Sequence, residues 1–155
     1  MSNQNARPQP QRFDLGVALG VPEANGVEIM GYEVPTAAVP AKRSGYVFRT
    51  DILQMFVYWL HARGQLGLRQ GFQLFGQSSS GKSSFVMQVA ARINMPVHLV
   101  TCHRDTDVLD LWGRDTLAGD DVIHLPGPAA KAAATGGWLL LDESHRLTPT
   151  MAGTL

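Results

Sequence analysis

Apolar residues along the chain fall into short groups whose spacing alternates between strand-like runs and helix-like periodicity. Three runs have the length and composition of strands, namely Phe72–Phe75, Val97–Thr101 and Trp138–Leu141. Between them, an amphipathic helix is predicted over Lys82–Asn94 and an alanine-rich helix over Pro128–Thr135, with Gly136 after its end. This alternation of strands and helices predicts an α/β fold with a parallel sheet.

Further helices and a hairpin are predicted from capping and turn residues. Thr50 or Asp51 starts a helix that runs to Arg63 and ends before Gly64. Its apolar side chains nearly encircle it, which predicts burial on more than one side or a position in an interface. Three shorter elements follow, namely a helix over Asp107–Trp112, a hairpin of Arg114–Leu117 with Val122–Leu125, and a last helix that opens at Pro149.

The N-terminal third of the chain is rich in prolines and glycines that interrupt any periodicity. We expect a disordered tail over residues 1–12 and a loop-like lead-in or accessory segment over residues 13–50, with one edge strand or a small accessory element near Val27–Met30. Residues 51–155 are then predicted to form the N-terminal part of the main domain.

Composition narrows the class of protein. The chain has 155 residues, of which 45% are apolar and 17% charged, which excludes a disordered chain and a disulfide-stapled miniprotein. Its longest apolar run, Met55–Leu60, is far too short to span a membrane, and the N-terminus lacks the apolar core of a secretory signal. With the single cysteine Cys102, these features predict a cytoplasmic protein without a membrane partner.

Charge is unevenly distributed although the formal net charge is zero. A zero net charge argues against a protein dedicated to binding nucleic acid. Residues 52–104 contain no acidic side chain, whereas six aspartates follow at positions 105, 107, 110, 115, 120 and 121. The acid-free stretch suits a local anionic ligand, and chance segregation of surface charge is the alternative.

A phosphate-binding pattern follows the first predicted strand. Residues 76–83 read Gly-Gln-Ser-Ser-Ser-Gly-Lys-Ser, which matches G-x-x-x-x-G-K-[ST] between a strand and a helix. Glycines let such a loop wrap its backbone N–H groups around a polyphosphate, and the helix adds its positive dipole end. We expect Lys82 to reach the β- and γ-phosphates and the Ser83 hydroxyl to bind Mg²⁺. The candidate ATP-binding residues are Gly76, Gln77, Ser78, Ser79, Ser80, Gly81, Lys82, Ser83 and Ser84.

Two carboxylates follow the last predicted strand. Ligands of open α/β sheets bind outside the carboxyl ends of the strands, so Asp142 is predicted to bind Mg²⁺, usually through water. Glu143 is predicted to be the catalytic base that orients a water against the γ-phosphate, with Lys82 as the second catalytic residue. An adjacent glutamate favours an ATPase that activates water over a small-molecule kinase.

Several segments resemble the AAA+ ATPases, and among them the MoxR-type branch. Asp142-Glu143-Ser144-His145-Arg146 resembles that branch's D-E-x-N-R segment at Walker B, with His145 in place of Asn. Residues 110–115 and the lead-in near Tyr46-Val47-Phe48 resemble the ATPase subunit of the aerobic cobalt chelatase. The Walker A loop departs at Ser79, where the branch more often has glycine. The resemblance covers about residues 34–146.

The resemblance implies a three-layer P-loop NTPase core with a parallel sheet of strand order 5-1-4-3-2. Only strands 1, 2 and 3 can be placed, so the resemblance implies a chain that is incomplete at its C-terminus. It also implies a Mg²⁺-dependent ATPase that forms hexameric rings and remodels or activates a partner with a von Willebrand A domain. Cobalt insertion is one possible task, and activation of another metalloenzyme or complex is the other.

Some interpretations stay open at this point. A nucleotide-binding module that couples ATP occupancy to assembly without hydrolysis is the main alternative, and a small-molecule kinase is the third. Zinc binding by Cys102 and nearby histidines lacks a second ligand pair at zinc spacing. Arg146 is either a surface charge or a contact to a nucleotide on a neighbouring subunit.

Overall fold

The computed structural model describes residues 8–67, 70–119 and 121–153, which form two compact units. The first, here called the loop unit, comprises Pro8–Val34 and Pro40–Asn94. The second, the acidic-turn unit, comprises Pro35–Val39 and residues 95–153. The described ranges contain both helices and strands. The strands form three two-stranded sheets, one of them parallel. The predicted α/β class is confirmed, while the predicted boundaries at residues 12 and 50 stay a prediction.

A small antiparallel sheet opens the loop unit. Strand β1 (Pro10–Asp14) pairs with β2 (Glu28–Tyr32), and Asp14 caps the short helix α1 (Leu15–Leu19) by accepting a hydrogen bond from the Val17 amide. The edge strand expected near Val27–Met30 is β2. The first residues of β1 overlap the expected disordered tail, because pairing with β2 satisfies the backbone of this polar segment; residues 1–7 lie outside the described ranges.

Helix α2 spans Thr50–Leu66 and is one turn longer than predicted. It passes through Gly64 and ends at Gly67, whose φ of 63° provides the left-handed C-cap. Leu53 and Phe56 of this helix are buried, whereas Tyr58 on another face is 79% exposed. A position of this helix in an interface between subunits stays a prediction.

Helix α3 spans Lys82–Arg92 and confirms the predicted amphipathic helix, although it stops two residues early. Its predicted apolar face is buried, as shown by Phe85, Val86, Val89, Ala90 and Ile93. The strand predicted at Phe72–Phe75 is absent, because no β-ladder in the described ranges includes this segment. An apolar run becomes a strand only where a neighbouring strand pairs with its backbone.

The parallel pair organises the acidic-turn unit. Strand β3 (Val97–Thr101) lies beside β6 (Trp138–Asp142), in register from Val97 opposite Trp138 to Thr101 opposite Asp142. These are the predicted second and third strands, and they are neighbours as the implied strand order requires. Strand β6 is half-buried rather than fully buried along its length. Helix α5 (Pro128–Thr135) matches its predicted bounds and ends at Gly136.

Three further elements complete this unit. Helix α4 (Val108–Trp112) begins with a capping box formed by Asp107 and Asp110. Strands β4 (Gly113–Ala118) and β5 (Asp121–Pro126) form the predicted hairpin. Helix α6 (Pro149–Ala152) supplies Met151 to a small core with Leu111 and Ala129. Among the helices of the described ranges, none has the length and apolar character needed to cross a membrane.

Candidate functional site

The loop between the predicted first strand and α3 has the backbone conformation that its glycines allow. Gly76 and Gly81 have φ values of 155° and 87°, which side-chain-bearing residues rarely adopt. A Cβ on Gly76 would lie 3.3 Å from Ser80 Oγ, whereas one on Gly81 would meet nothing within 4 Å. Gly81 is therefore required for its dihedral angle, and Gly76 for both its angle and the space inside the loop.

Lys82 folds back into this loop from the first residue of α3. Its Nζ donates hydrogen bonds to the carbonyl oxygens of Gly76, at 3.0 Å, and Gln77, at 2.7 Å. Ser80 Oγ lies 3.5 Å from the same nitrogen. The loop thus surrounds a positive charge, which is the arrangement that a bound phosphate requires.

The N-terminus of α3 faces the same loop. Gly81 is its N-cap and offers no side-chain acceptor, and its carbonyl accepts the first helical hydrogen bond, from the Phe85 amide at 2.8 Å. No acidic residue lies in the first turn, where Ser83 and Ser84 are half-buried. The dipole of a helix favours an anion at such an end.

Aromatic packing fixes both ends of the loop. Phe56 of α2 stacks edge-on against Phe72, before the loop, with ring centres 5.1 Å apart. It also contacts Phe85, one turn after the loop, at 5.5 Å. Phe48 reaches Phe85 at 6.0 Å from the lead-in. Aromatic pairs of this kind each contribute about 0.5–1.5 kcal/mol beyond burial, so they hold the two ends of the loop at a fixed separation.

The lead-in segment is fastened to α3 by a buried glutamine. Gln88 Oε1 accepts a hydrogen bond from the Arg43 amide at 2.9 Å, and its Nε2 donates to the Ala41 carbonyl at 3.0 Å. Arg92 Nη1 donates to the same Oε1, and its guanidinium lies 4.9 Å from the Phe48 ring centre. Sequence reasoning missed this clamp, because a lone glutamine in a helix gives no pattern.

The acidic turn begins at the last residue of β6. The carbonyl of Asp142 accepts a hydrogen bond from the Cys102 amide at 2.9 Å, which ties it to the end of β3. The Glu143 amide donates to Asp142 Oδ1 at 3.0 Å. Glu143 itself has a left-handed φ of 55°. The chain therefore turns sharply at the two predicted carboxylates, directly after the sheet.

Two basic side chains of the following 3-10 turn (Ser144–Arg146) approach the Glu143 carboxylate. Arg146 Nε donates to Oε2 at 3.1 Å, and His145 Nε2 lies 3.5 Å from the same oxygen. The Glu143 side chain is about one-third exposed, compared with 56% for Arg146. Sequence reasoning left the role of Arg146 open; the signal was its position three residues after Glu143, which a tight turn brings into contact.

Cys102 and His98, the side chains considered for zinc binding, lie in surroundings that do not favour a metal site. Burial, together with the nearby charge of Asp142, raises the pKa of the Cys102 thiol, so this buried side chain stays protonated. Burial and Lys131 lower the pKa of His98, whose Nε2 lies 3.2 Å from Thr135 Oγ1 on α5. Within the described ranges, no group of three His, Cys, Asp or Glu side chains is arranged to hold a metal ion.

The predicted site residues thus fall into two groups. Lys82 is brought together with Gly76, Gln77 and Ser80 in the loop unit, and Asp142 with Glu143 in the acidic-turn unit. Ser78 and Ser79 are exposed in the same loop.

Comparison with known proteins bears on both groups. Residues 71–155, which include the loop and the acidic turn, match the AAA domain family in its dynein-related subfamily. The chain is 39% identical to Protein NorQ of Paracoccus denitrificans over 70 residues, which are 45% of this chain and 26% of that protein. It is 37% identical to Denitrification regulatory protein NirQ of Stutzerimonas stutzeri over 112 residues, which are 72% of this chain and 38% of that protein.

A longer but weaker similarity reaches a mammalian protein. The chain is 28% identical to von Willebrand factor A domain-containing protein 8 of Mus musculus over 129 residues, which are 83% of this chain and 6% of that protein. The matched parts therefore span well under half of each of these curated relatives. The match over residues 71–155 shows that the chain belongs to the AAA domain family, dynein-related subfamily, and it confirms the AAA+ recognition made from the motifs.

Proposed function

We propose that this chain binds ATP with Mg²⁺ and, in the assembled protein, hydrolyses it to remodel or activate a partner protein. The observation that carries the proposal is the position of the Lys82 ammonium. It lies within hydrogen-bond distance of two carbonyl oxygens of a glycine-bounded loop, at the N-terminus of an 11-residue helix. A cation, the N-terminal end of a helix and glycine dihedrals in one loop fit a polyphosphate.

The loop residues have separate roles in this proposal. Lys82 exchanges its loop carbonyls for oxygens of the β- and γ-phosphates, since a charged acceptor makes the stronger hydrogen bond. Amides of residues 77–81 and of the first turn of α3 donate to the phosphate chain, and Gly76 and Gly81 adopt the positive φ values that this loop conformation needs. Ser83 and Ser84 lie in the same turn. Ser83 is the residue whose hydroxyl would bind Mg²⁺.

The acidic turn supplies the second half of the chemistry. Asp142 is the carboxylate that would hold Mg²⁺, and Glu143 orients the attacking water and accepts its proton. Magnesium, when bound, neutralises the charge that develops on the phosphate oxygens. Asp142 is the last residue of a strand of the parallel pair and Glu143 follows it directly, at the carboxyl end where α/β sheets bind their ligands.

Replacing Glu143 by glutamine tests hydrolysis separately from binding. In the assembled protein, Glu143→Gln keeps the size and shape of the side chain and one accepting oxygen but cannot accept the proton. We expect Mg²⁺-ATP affinity within about twofold of wild type and phosphate release reduced at least about 100-fold, in the range of a lost general base. Glu23→Gln, a glutamate of the N-terminal region, is the matched control. Unchanged phosphate release by the Glu143 variant would reject its role as base.

A nucleotide-binding module without hydrolysis is the second candidate function. The similarity to proteins named as denitrification regulators favours a regulatory role, which ATP occupancy alone can serve. This candidate predicts ATP binding that drives assembly, with no phosphate release even in the wild type. The same measurement of phosphate release therefore separates the two functions.

The partner and the assembly are part of the proposal. We propose a ring of identical chains, hexameric as in the family that the chain resembles, because a heterologous interface that closes makes a ring.

We propose a partner protein with a von Willebrand A domain, supported by the similarity to a protein whose name includes that domain. Cobalt insertion and activation of another metalloenzyme stay alternative tasks. A cytoplasmic location is proposed on the single, buried cysteine.

A further inference from the structure

The turn after β6 closes on Glu143 through three successive contacts. The Glu143 amide donates to Asp142 Oδ1 at 3.0 Å, and the Glu143 carbonyl accepts from the Arg146 amide at 2.9 Å. The Arg146 side chain then returns to the Glu143 carboxylate at 3.1 Å. Backbone and side chain of one arginine thus both bond to the residue proposed as the base.

We propose that Arg146 is a positioning residue, which fixes the rotamer of the Glu143 carboxylate for attack of water on ATP. The inference rests on the proposed role of Glu143 as base. Arg146 contacts Oε2, so Oε1 is the oxygen assigned to the water. The arginine touches neither ATP nor water in this role; it acts only through Glu143.

The local backbone explains why such a contact is needed. Glu143 has a φ of 55°, a conformation that costs a residue with a Cβ about 1–2 kcal/mol. Its carboxylate is about one-third exposed, so packing alone leaves its outer torsions free to rotate. A base must lie within a few tenths of an ångström of its productive position, and misplacement by about 1 Å can lower a rate about 100-fold.

Two neighbouring basic residues serve as comparisons. His145 Nε2 lies 3.5 Å from the same Oε2, at the limit of a hydrogen bond, and its side chain is 74% exposed. Arg104 and Arg146 both line an open cleft of about 500 Å³, together with His103 and Thr148. Arg104 thus provides the same charge in the same cleft, and it is the matched control for Arg146.

The experiment is steady-state ATP hydrolysis by the assembled protein carrying Arg146→Ala, Arg146→Lys or Arg104→Ala. For Arg146→Ala we expect kcat to fall about tenfold with KM for ATP unchanged, because binding does not use this side chain. Lysine restores the positive charge without the directed Nε contact, so Arg146→Lys should recover part of the lost kcat. Arg104→Ala should keep the wild-type kcat. Equal melting temperatures of the variants exclude a general loss of structure.

Other outcomes overturn the inference. A wild-type or raised kcat in Arg146→Ala would mean that the ion pair is idle or restrains the base. A raised KM with unchanged kcat would instead place Arg146 in nucleotide binding. If Glu143→Gln itself releases phosphate normally, the proposed base is wrong and the inference falls with it. If Glu143→Gln is inactive and Arg146→Ala is normal, only the positioning role is rejected.

Discussion

At the scale of single residues, backbone strain coincides with both predicted motifs. In the described ranges, three residues other than glycine have a left-handed φ: Ser79, Asn94 and Glu143. Ser79 is also the position where the Walker A loops of the MoxR-type branch more often have glycine. Its φ of 61° gives the physical reason, because glycine adopts this conformation without steric cost. Nothing in the sequence marked Glu143 as strained, since glutamate has no preference for this region.

Replacing Ser79 by glycine should therefore stabilise the protein. Relief of about 1–2 kcal/mol of strain exceeds the added unfolded-chain entropy of about 0.4–1 kcal/mol, so we expect a net gain of about 0.5–1 kcal/mol. ATP affinity should be retained. Urea unfolding measures the change, and Ser79→Ala, which keeps a Cβ at the same φ, should show no gain. Equal stability of the glycine and alanine variants would contradict a strained Ser79.

At the scale of elements, capping residues and apolar runs predicted the helices and strands whose positions depend on local interactions. Helix α5 begins at a proline and ends at a left-handed glycine, and its bounds match the prediction. Strands β3 and β6 were predicted from apolar runs. The end of α2 was misplaced, because Gly64 and Gly67 are equally good caps in sequence and only Gly67 has the left-handed conformation. The prediction for Phe72–Phe75 was wrong and β1 was not predicted, because the formation of a strand depends on a pairing partner elsewhere in the chain, which no local pattern encodes.

The close packing of Gly137 on Pro96, just before strands β6 and β3, can be tested by substitution. A Cβ added there would lie 2.7 Å from the Pro96 carbonyl oxygen and 2.9 Å from Pro96 Cβ, next to the Trp138 amide that bonds the same carbonyl. We expect Gly137→Ala to lower the free energy of unfolding by about 1–3 kcal/mol, the usual effect of overpacking. Gly71→Ala, where an added Cβ meets nothing within 4 Å, is the control and should change it by less than about 0.5 kcal/mol. Equal effects of the two variants would contradict the close packing.

At the scale of the whole molecule, the predicted site residues lie in two compact units, with Lys82 in the loop unit and Glu143 in the acidic-turn unit. The motif residues were predictable because phosphate binding constrains residue type and spacing together, as in the loop ending at Lys82. The contacts of Gln88 and Arg146 were not, because each joins positions whose proximity depends on the fold. The uneven charge distribution agrees with phosphate binding at the loop. The stretch without acidic residues contains the loop and α3, and the absence of negative charge there favours an anionic ligand.

Binding of Mg²⁺-ATP to the Lys82→Ala variant, measured by titration calorimetry beside the wild type, tests the proposed nucleotide site most directly. Alanine removes the ammonium that lies among the loop carbonyls, and loss of its charge-assisted bonds, worth about 3 kcal/mol, should weaken binding at least about 100-fold. Lys42→Ala, which removes an exposed lysine from the same unit, should bind like the wild type. Wild-type affinity in Lys82→Ala would contradict the assignment of this loop as the phosphate site.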